Sequence, residues 1–208
     1  MRVTSTNPTA TIALNPQASI SAGNTVIISI TAYTQTGVPA SFTCSDTQGN
    51  SYALDAFDAS TQSNPTVAIC HGTIATSLTT SDAIRVAIAG TPSGTCNYNV
   101  HVLEFSGVKL TSPVDASNAN IGSSKIADSG VITLSNVDLV IGAIAWEDNA
   151  GIAGAGAPWV AFVDPAVSTK LQAVTEYLIT SSSPQSATST NDNGHQWAAA
   201  VVGYLPAP

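Results

Sequence analysis

Apolar residues in this chain recur at every second position. In the segment 24–33, Asn-Thr-Val-Ile-Ile-Ser-Ile-Thr-Ala-Tyr, the residues Val26, Ile28, Ile30 and Ala32 fall on one face, with mostly hydroxylated residues between them. A period of two is that of a half-buried β-strand, not of a helix. The same pattern runs through most of the chain, and no apolar run is long enough to span a membrane as a helix. Only 9% of the residues are charged, whereas Ser and Thr together supply 50 of 208. Hydroxyls therefore take the solvent-facing positions that Lys and Glu fill in most proteins.

Strands are predicted near 10–14, 25–33, 41–44, 51–57, 66–71, 84–89 and 98–105, and again near 131–134, 138–146, 159–163, 169–179 and 196–204. Turn residues that tolerate positive φ or preset φ separate them, as in 21–24, 36–39, 46–50 and 90–94. Two short alternating runs flank the turn Asp46-Thr-Gln-Gly-Asn50, which predicts a hairpin over 41–55. The segment 137–146 is apolar on nearly both faces, as a central strand would be. The C-terminal Trp197–Leu205 run reads as a strand, because Val-Val-Gly-Tyr and the following Pro-Ala-Pro oppose a helix. The stretch 111–130 shows no alternation and reads as an irregular surface crossover.

These elements predict an all-β fold, a two-layer antiparallel β-sandwich of jelly-roll type. It would form a single domain over 1–208, with a first half at about 8–110, the crossover at about 111–130 and a second half at about 131–206. The order of the Asp46-x-x-Gly49-Asn50-x-Tyr52 turn, Glu104-Phe-Ser-Gly-Val108, the polar crossover, Asp138-Leu-Val-Ile-Gly-Ala143 and a closing Trp197-Ala strand resembles a known group. These are the jelly-roll, concanavalin-like domains of phage virion proteins and bacterial surface proteins. The resemblance covers about 8–206 and implies adhesion, carbohydrate contact or particle decoration. It brings no catalytic residues with it.

The net charge of −8, with 13 acids against five scattered bases, excludes nucleic acid as a partner and excludes attraction to anionic lipid. Met1–Pro8 has no signal-peptide-like apolar stretch, which suits a virion protein or a chain whose leader lies elsewhere. Cys44, Cys70 and Cys96 match no metal-binding spacing. One disulfide among the three, clamping neighbouring strands, and three buried thiols are the two readings left open.

Candidate sites are few. Glu104 ends the apolar row Cys96, Tyr98, Val100, Val102, where a carboxylate must be paired or neutralised; anchoring a turn at Ser106-Gly107 is the expected role. Glu147 and Asp148 are adjacent in sequence, so on a strand they face opposite ways and cannot form a glycosidase pair. Asp46, Asn50, Asp148 and Asn149 sit in turns with oxygen ligands suited to a structural Ca²⁺, and no other cofactor is expected. His71, His101 and His195 show no zinc-ligand spacing. Trp159, beside a Gly-rich loop, is the candidate for stacking on a sugar, while Trp146 and Trp197 are expected in the core.

The chain therefore reads as non-enzymatic: a structural or decoration protein on the virion surface or another extracellular surface, assembling as a homo-oligomer or with other surface proteins. The alternatives are a carbohydrate-binding or adhesion module, and a filament subunit that completes a neighbour's sheet with 8–14 or its C-terminal strand.

Overall fold

The computed structural model describes residues 2–5, 11–37, 39–59, 65–90, 93–147, 152–154, 156–164 and 170–208. Among these residues every regular element is a strand, and all pairings are antiparallel. In chain order the strands are β1 (Arg2–Ser5), β2 (Ile12–Leu14), β3 (Thr25–Thr36), β4 (Pro39–Asp46), β5 (Ser51–Ala59), β6 (Pro65–Thr73), β7 (Ile84–Gly90) and β8 (Ser93–Phe105). They continue with β9 (Val114–Asp128), β10 (Asp138–Glu147), β11 (Ile152–Ala153), β12 (Val160–Asp164), β13 (Leu171–Thr180) and β14 (Thr188–Tyr204).

The chain forms the all-β sandwich expected from its alternation, with a third sheet added to the two expected layers. A five-stranded sheet, β1-β8-β3-β6-β5, lies between a three-stranded sheet, β2-β7-β4, and a six-stranded one, β11-β14-β10-β13-β12 with β9 on β14. β3 shows why: from Thr25 to Thr34 it is buried at every position. Its even residues Val26, Ile28, Ile30 and Ala32 pack on Leu14, Phe42, Ile84 and Val86 of the small sheet. On its odd face, Ile27 joins Val67 and Ile69 of β6 against Ala143, Ala198 and Ala200. Large side chains thus meet a row of alanines, which lets the sheets approach closely without voids. Within this interface the Ser29 hydroxyl bonds that of Thr175 at 2.8 Å, satisfying both. A third core lies on the outer face of the six-stranded sheet, where Val140, Ile144, Trp146 and Val201 are covered by Ile132, Leu134 and Ala187.

Three expectations change. The turn at 46–50 joins no hairpin: β4 pairs with β7 and β5 with β6, so the chain arches from one sheet to another. Side chains hold that arch in place of a strand ladder. The polar stretch 114–128 is not an irregular crossover but the long strand β9, paired with β14 from Val114↔Tyr204 to Asp128↔Thr188. Its side chains are mostly exposed on both faces, so it carries no alternation, and the main-chain ladder alone defines it. The strand expected at 131–134 is reduced to a single bridge, Ile132↔Gln185.

Two aromatic rings lie across facing glycines. Tyr52 covers Gly72, its cross-strand partner, and Trp197 covers Gly122. A β-carbon at either glycine would occupy the space of the ring.

Cys44 of β4 is bonded to Cys70 of β6 across the first core, linking two sheets and not neighbouring strands. Cys96 takes no part in the disulfide and is buried in the same core, its pKa raised by burial. The bridge closes a loop of 26 residues, so replacing both cysteines by Ala should cost roughly 3 kcal/mol. Denaturant unfolding of the oxidised chain and of the Cys44→Ala/Cys70→Ala variant measures this; equal midpoints would exclude a stabilising bridge.

Candidate functional site

β5 carries a bulge between Leu54 and Ala56. The extra residue, Asp55, projects into the space between the five- and six-stranded sheets. Its carboxylate is almost fully buried, and both oxygens lie 2.8 Å from Nδ1 of His71 on β6. The Tyr204 hydroxyl at the end of β14 donates to Asp55 Oδ2 at 2.7 Å. Three strands from two sheets thus converge on one carboxylate. An ionised carboxylate only accepts hydrogen bonds, so Nδ1 carries the proton and Nε2 is left for other partners. The Tyr204 ring also meets the imidazole edge to face, centroids 5.9 Å apart. Burial, and then the Asp55 charge, push the Tyr204 pKa well above its usual range, so its phenol stays protonated.

His71 lines a surface groove of about 440 Å³. Ser51, Tyr52 and Thr73 form one side, and the segment 110–113 forms the other. Ser112 on that segment has φ 51°, in the left-handed region that serine rarely adopts. Tyr52, lying over Gly72, is fixed through its hydroxyl by Asp46 Oδ2 at 3.0 Å.

Asp46 and Asn50 are tied into this wall. Asp46 Oδ1 accepts from the amides of Gln48 (2.8 Å) and Asn50 (3.2 Å), and Oδ2 from Asn50 Nδ2 (2.7 Å) as well as Tyr52. Asn50 Oδ1 accepts from the amides of Ala75 (2.9 Å) and Thr76 (2.8 Å). A cation at these oxygens would have to displace donors already in place; the pair serves the arch. Asp148 and Asn149 lie outside the described residues.

The remaining candidates disperse. Glu104 is exposed and accepts from Asn24 Nδ2 at 2.6 Å and Ser21 N at 3.3 Å, so it anchors the turn at 21–24, not the one at Ser106-Gly107. Glu147 is half-buried near Tyr33, whose pKa rises through burial first and the Glu147 charge second. Trp146 and Trp197 are buried, their indole N–H groups donating to Ser189 Oγ (3.1 Å) and Ser124 Oγ (3.0 Å). Trp159 is half-buried against the third core. Exposed aromatic surface lies elsewhere: Phe162, 41% exposed, stacks on Tyr177 with centroids 6.2 Å apart, and Tyr177 meets Phe105 at 5.5 Å.

Asp55 and Tyr204 do not stand out in the sequence, and His71 does so only as a histidine without zinc-ligand spacing. One signal was present. Tyr52 and Phe57 pack on the same core although five residues apart, so the alternation of β5 slips by one between them. Such a slip marks a bulge, and Asp55 is in it.

A pair of carboxylates lies at the foot of β10. Asp138 is fully buried, and no donor reaches either of its oxygens. Its neighbour is Asp115, whose carboxylate is desolvated yet held below its usual range by the Ser135 hydroxyl (2.7 Å) and amide (2.6 Å). Burial first, and then Asp115, push Asp138 up to about 6, so below that pH it holds a proton that it can donate to Asp115.

No protein-family model, curated protein or solved structure matches this chain.

Two outcomes follow from the buried acids. Removing the phenol with Tyr204→Phe should destabilise the fold by about 1.5–3 kcal/mol, the worth of a hydrogen bond to a charged group, lowering the urea midpoint at unchanged slope. For Asp138 the folded state binds the proton more tightly than the unfolded chain. Its contribution is therefore complete below about pH 4 and lost as pH rises through about 6. Asp138→Asn should raise stability at pH 7.5 by about 1–3 kcal/mol and flatten the slope between those pH values. Urea unfolding at several pH values reads both effects.

Proposed function

We propose that this chain is a non-enzymatic structural or decoration protein on the outside of an extracellular particle, a phage virion being the setting its resemblance favours, and that it works by packing against copies of itself. The observation that carries this reading is an uncovered apolar row along one open edge of the sandwich. Val160 and Phe162 of β12 lie opposite Tyr177 and Thr175 of β13, so they share a face with Tyr177 and Ile179. Val137, Val160, Phe162 and Ile179 all stand well out into solvent, Ile179 at 65% exposure. Among the described residues β12 pairs only with β13, leaving its outer edge open. A contiguous apolar patch beside an open edge marks a protein contact.

The other end of the same sheet is blunted. On β9 the side chains of Asn118 and Asn120 turn their oxygens back onto the amides of Ala119 (2.9 Å) and Ile121 (3.0 Å). Those N–H groups are already engaged, so β9 offers a poorer template than β12. The Cys44–Cys70 bridge supports an extracellular setting, since disulfides persist where the milieu oxidises, virion surfaces included. The filament reading loses the C-terminal strand, since β14 is flanked by β9 and β10; β2 is an edge strand held on one side by β7, and residues 8–10 lie outside the described residues.

Light scattering and native mass spectrometry test the assembly. The wild-type chain should run above monomer mass, and Phe162→Asp/Ile179→Asp should return it to monomer with its circular dichroism unchanged. A wild-type chain that stays monomeric at high concentration removes the reading; oligomers that survive the double substitution place the contact elsewhere.

A further inference from the structure

We infer that the groove beside His71 is a binding site for a neutral, polyhydroxylated ligand, a saccharide of two or three rings. This site is separate from the apolar edge and does not depend on whether the chain assembles.

The groove is built, not incidental. A buried carboxylate is costly unless it is hydrogen-bonded, and Asp55 is buried at a bulge where its oxygens fix the His71 ring through Nδ1. With Nδ1 taken up by Asp55, Nε2 is the ring nitrogen that His71, a residue lining the groove, has left to offer a ligand. A second buried group, Tyr204, holds the carboxylate in place from the other sheet. Fixing a ring nitrogen from behind is how proteins orient an imidazole toward a ligand. The facing wall carries the strained Ser112.

Elimination sets the ligand class. Apart from His71, the groove is lined by uncharged residues: Ser51, Thr111 and Ser112 supply hydroxyl groups, and the Thr73 hydroxyl, which donates to the Leu110 carbonyl at 3.2 Å, can still accept. An anion would find no Lys or Arg there, on a chain whose net charge is −8. A cation would find no carboxylate on the groove surface, because Asp55 lies behind His71. A large apolar ligand would leave the hydroxyls without partners. Sugar hydroxyls both donate and accept, matching the Ser and Thr side chains and Nε2. The volume, about 440 Å³, lies within the range of small-molecule sites.

The test uses the intact chain and a panel of neutral di- and trisaccharides of glucose, mannose and galactose, with sialyllactose as the charged control. Binding is followed by ¹H–¹⁵N NMR titration, including the imidazole nitrogens. Neutral sugars should shift His71 together with Ser51, Thr73 and Thr111, while sialyllactose should not. Ser51→Arg, which fills the groove and leaves the Asp55–His71 pair itself unsubstituted, should weaken binding about tenfold or more, the loss of one or two hydrogen bonds. His71→Gln should weaken it similarly in a chain whose unfolding midpoint is reported alongside, so that loss of fold is not mistaken for loss of site. The inference is overturned if no neutral sugar of the panel shifts the groove residues at millimolar concentration. It also fails if the shifts centre on Trp159, or if binding survives Ser51→Arg unchanged. Light scattering of the same samples reads the assembly proposal independently.

Discussion

A strand buried on both faces has no solvent side, so β3 and β6 commit this chain to a layer on each side of the five-stranded sheet. Everything else in the molecule answers that demand. Polar groups on these strands must find partners inside, as Ser29 does with Thr175. One covering layer is small, three strands and a short core, and it is the one held covalently, through Cys44 and Cys70. The other is large and alanine-lined, and at one end of that interface a hydrogen-bonded carboxylate links the layers. The two clamps sit on opposite faces of the same strand, β6, through its adjacent residues Cys70 and His71.

Asp55 shows how a structural device and a site can be one object. Its burial would be unfavourable alone, but two donors from different sheets satisfy it, and the imidazole it holds ends at the surface. The uncharged groove outside that imidazole reflects the same composition that keeps charge off most of the surface. With hydroxyls in place of Lys and Glu, the surface offers neutral hydrogen-bonding groups in the groove and apolar side chains along β12 and β13.

The treatment of sheet edges is equally divided. β9 is long and solvated, yet its own asparagines occupy amides that could otherwise pair. β12 is short and carries exposed Val160 and Phe162 with no such device. An apolar, open edge is a template on which another chain can pair, whereas one blunted by side chains is protected against such pairing.

Much of this architecture follows from sequence alone. The period of two determined that the elements are strands, and the two-faced apolarity of 138–146 determined that β10 is central. Local pattern could not decide which strands pair, because β4 and β5 flank a turn that reads as a hairpin while each has a better ladder in a different sheet. Nor could it reveal β9, whose strand character resides in main-chain hydrogen bonds and not in side-chain burial. The choice of Cys70 over Cys96 for Cys44, and the meeting of Asp55, His71 and Tyr204 across 149 residues of chain, came only with the stacking of the layers. Alternation specifies which face of a strand is buried; only packing decides which other strand that face will meet.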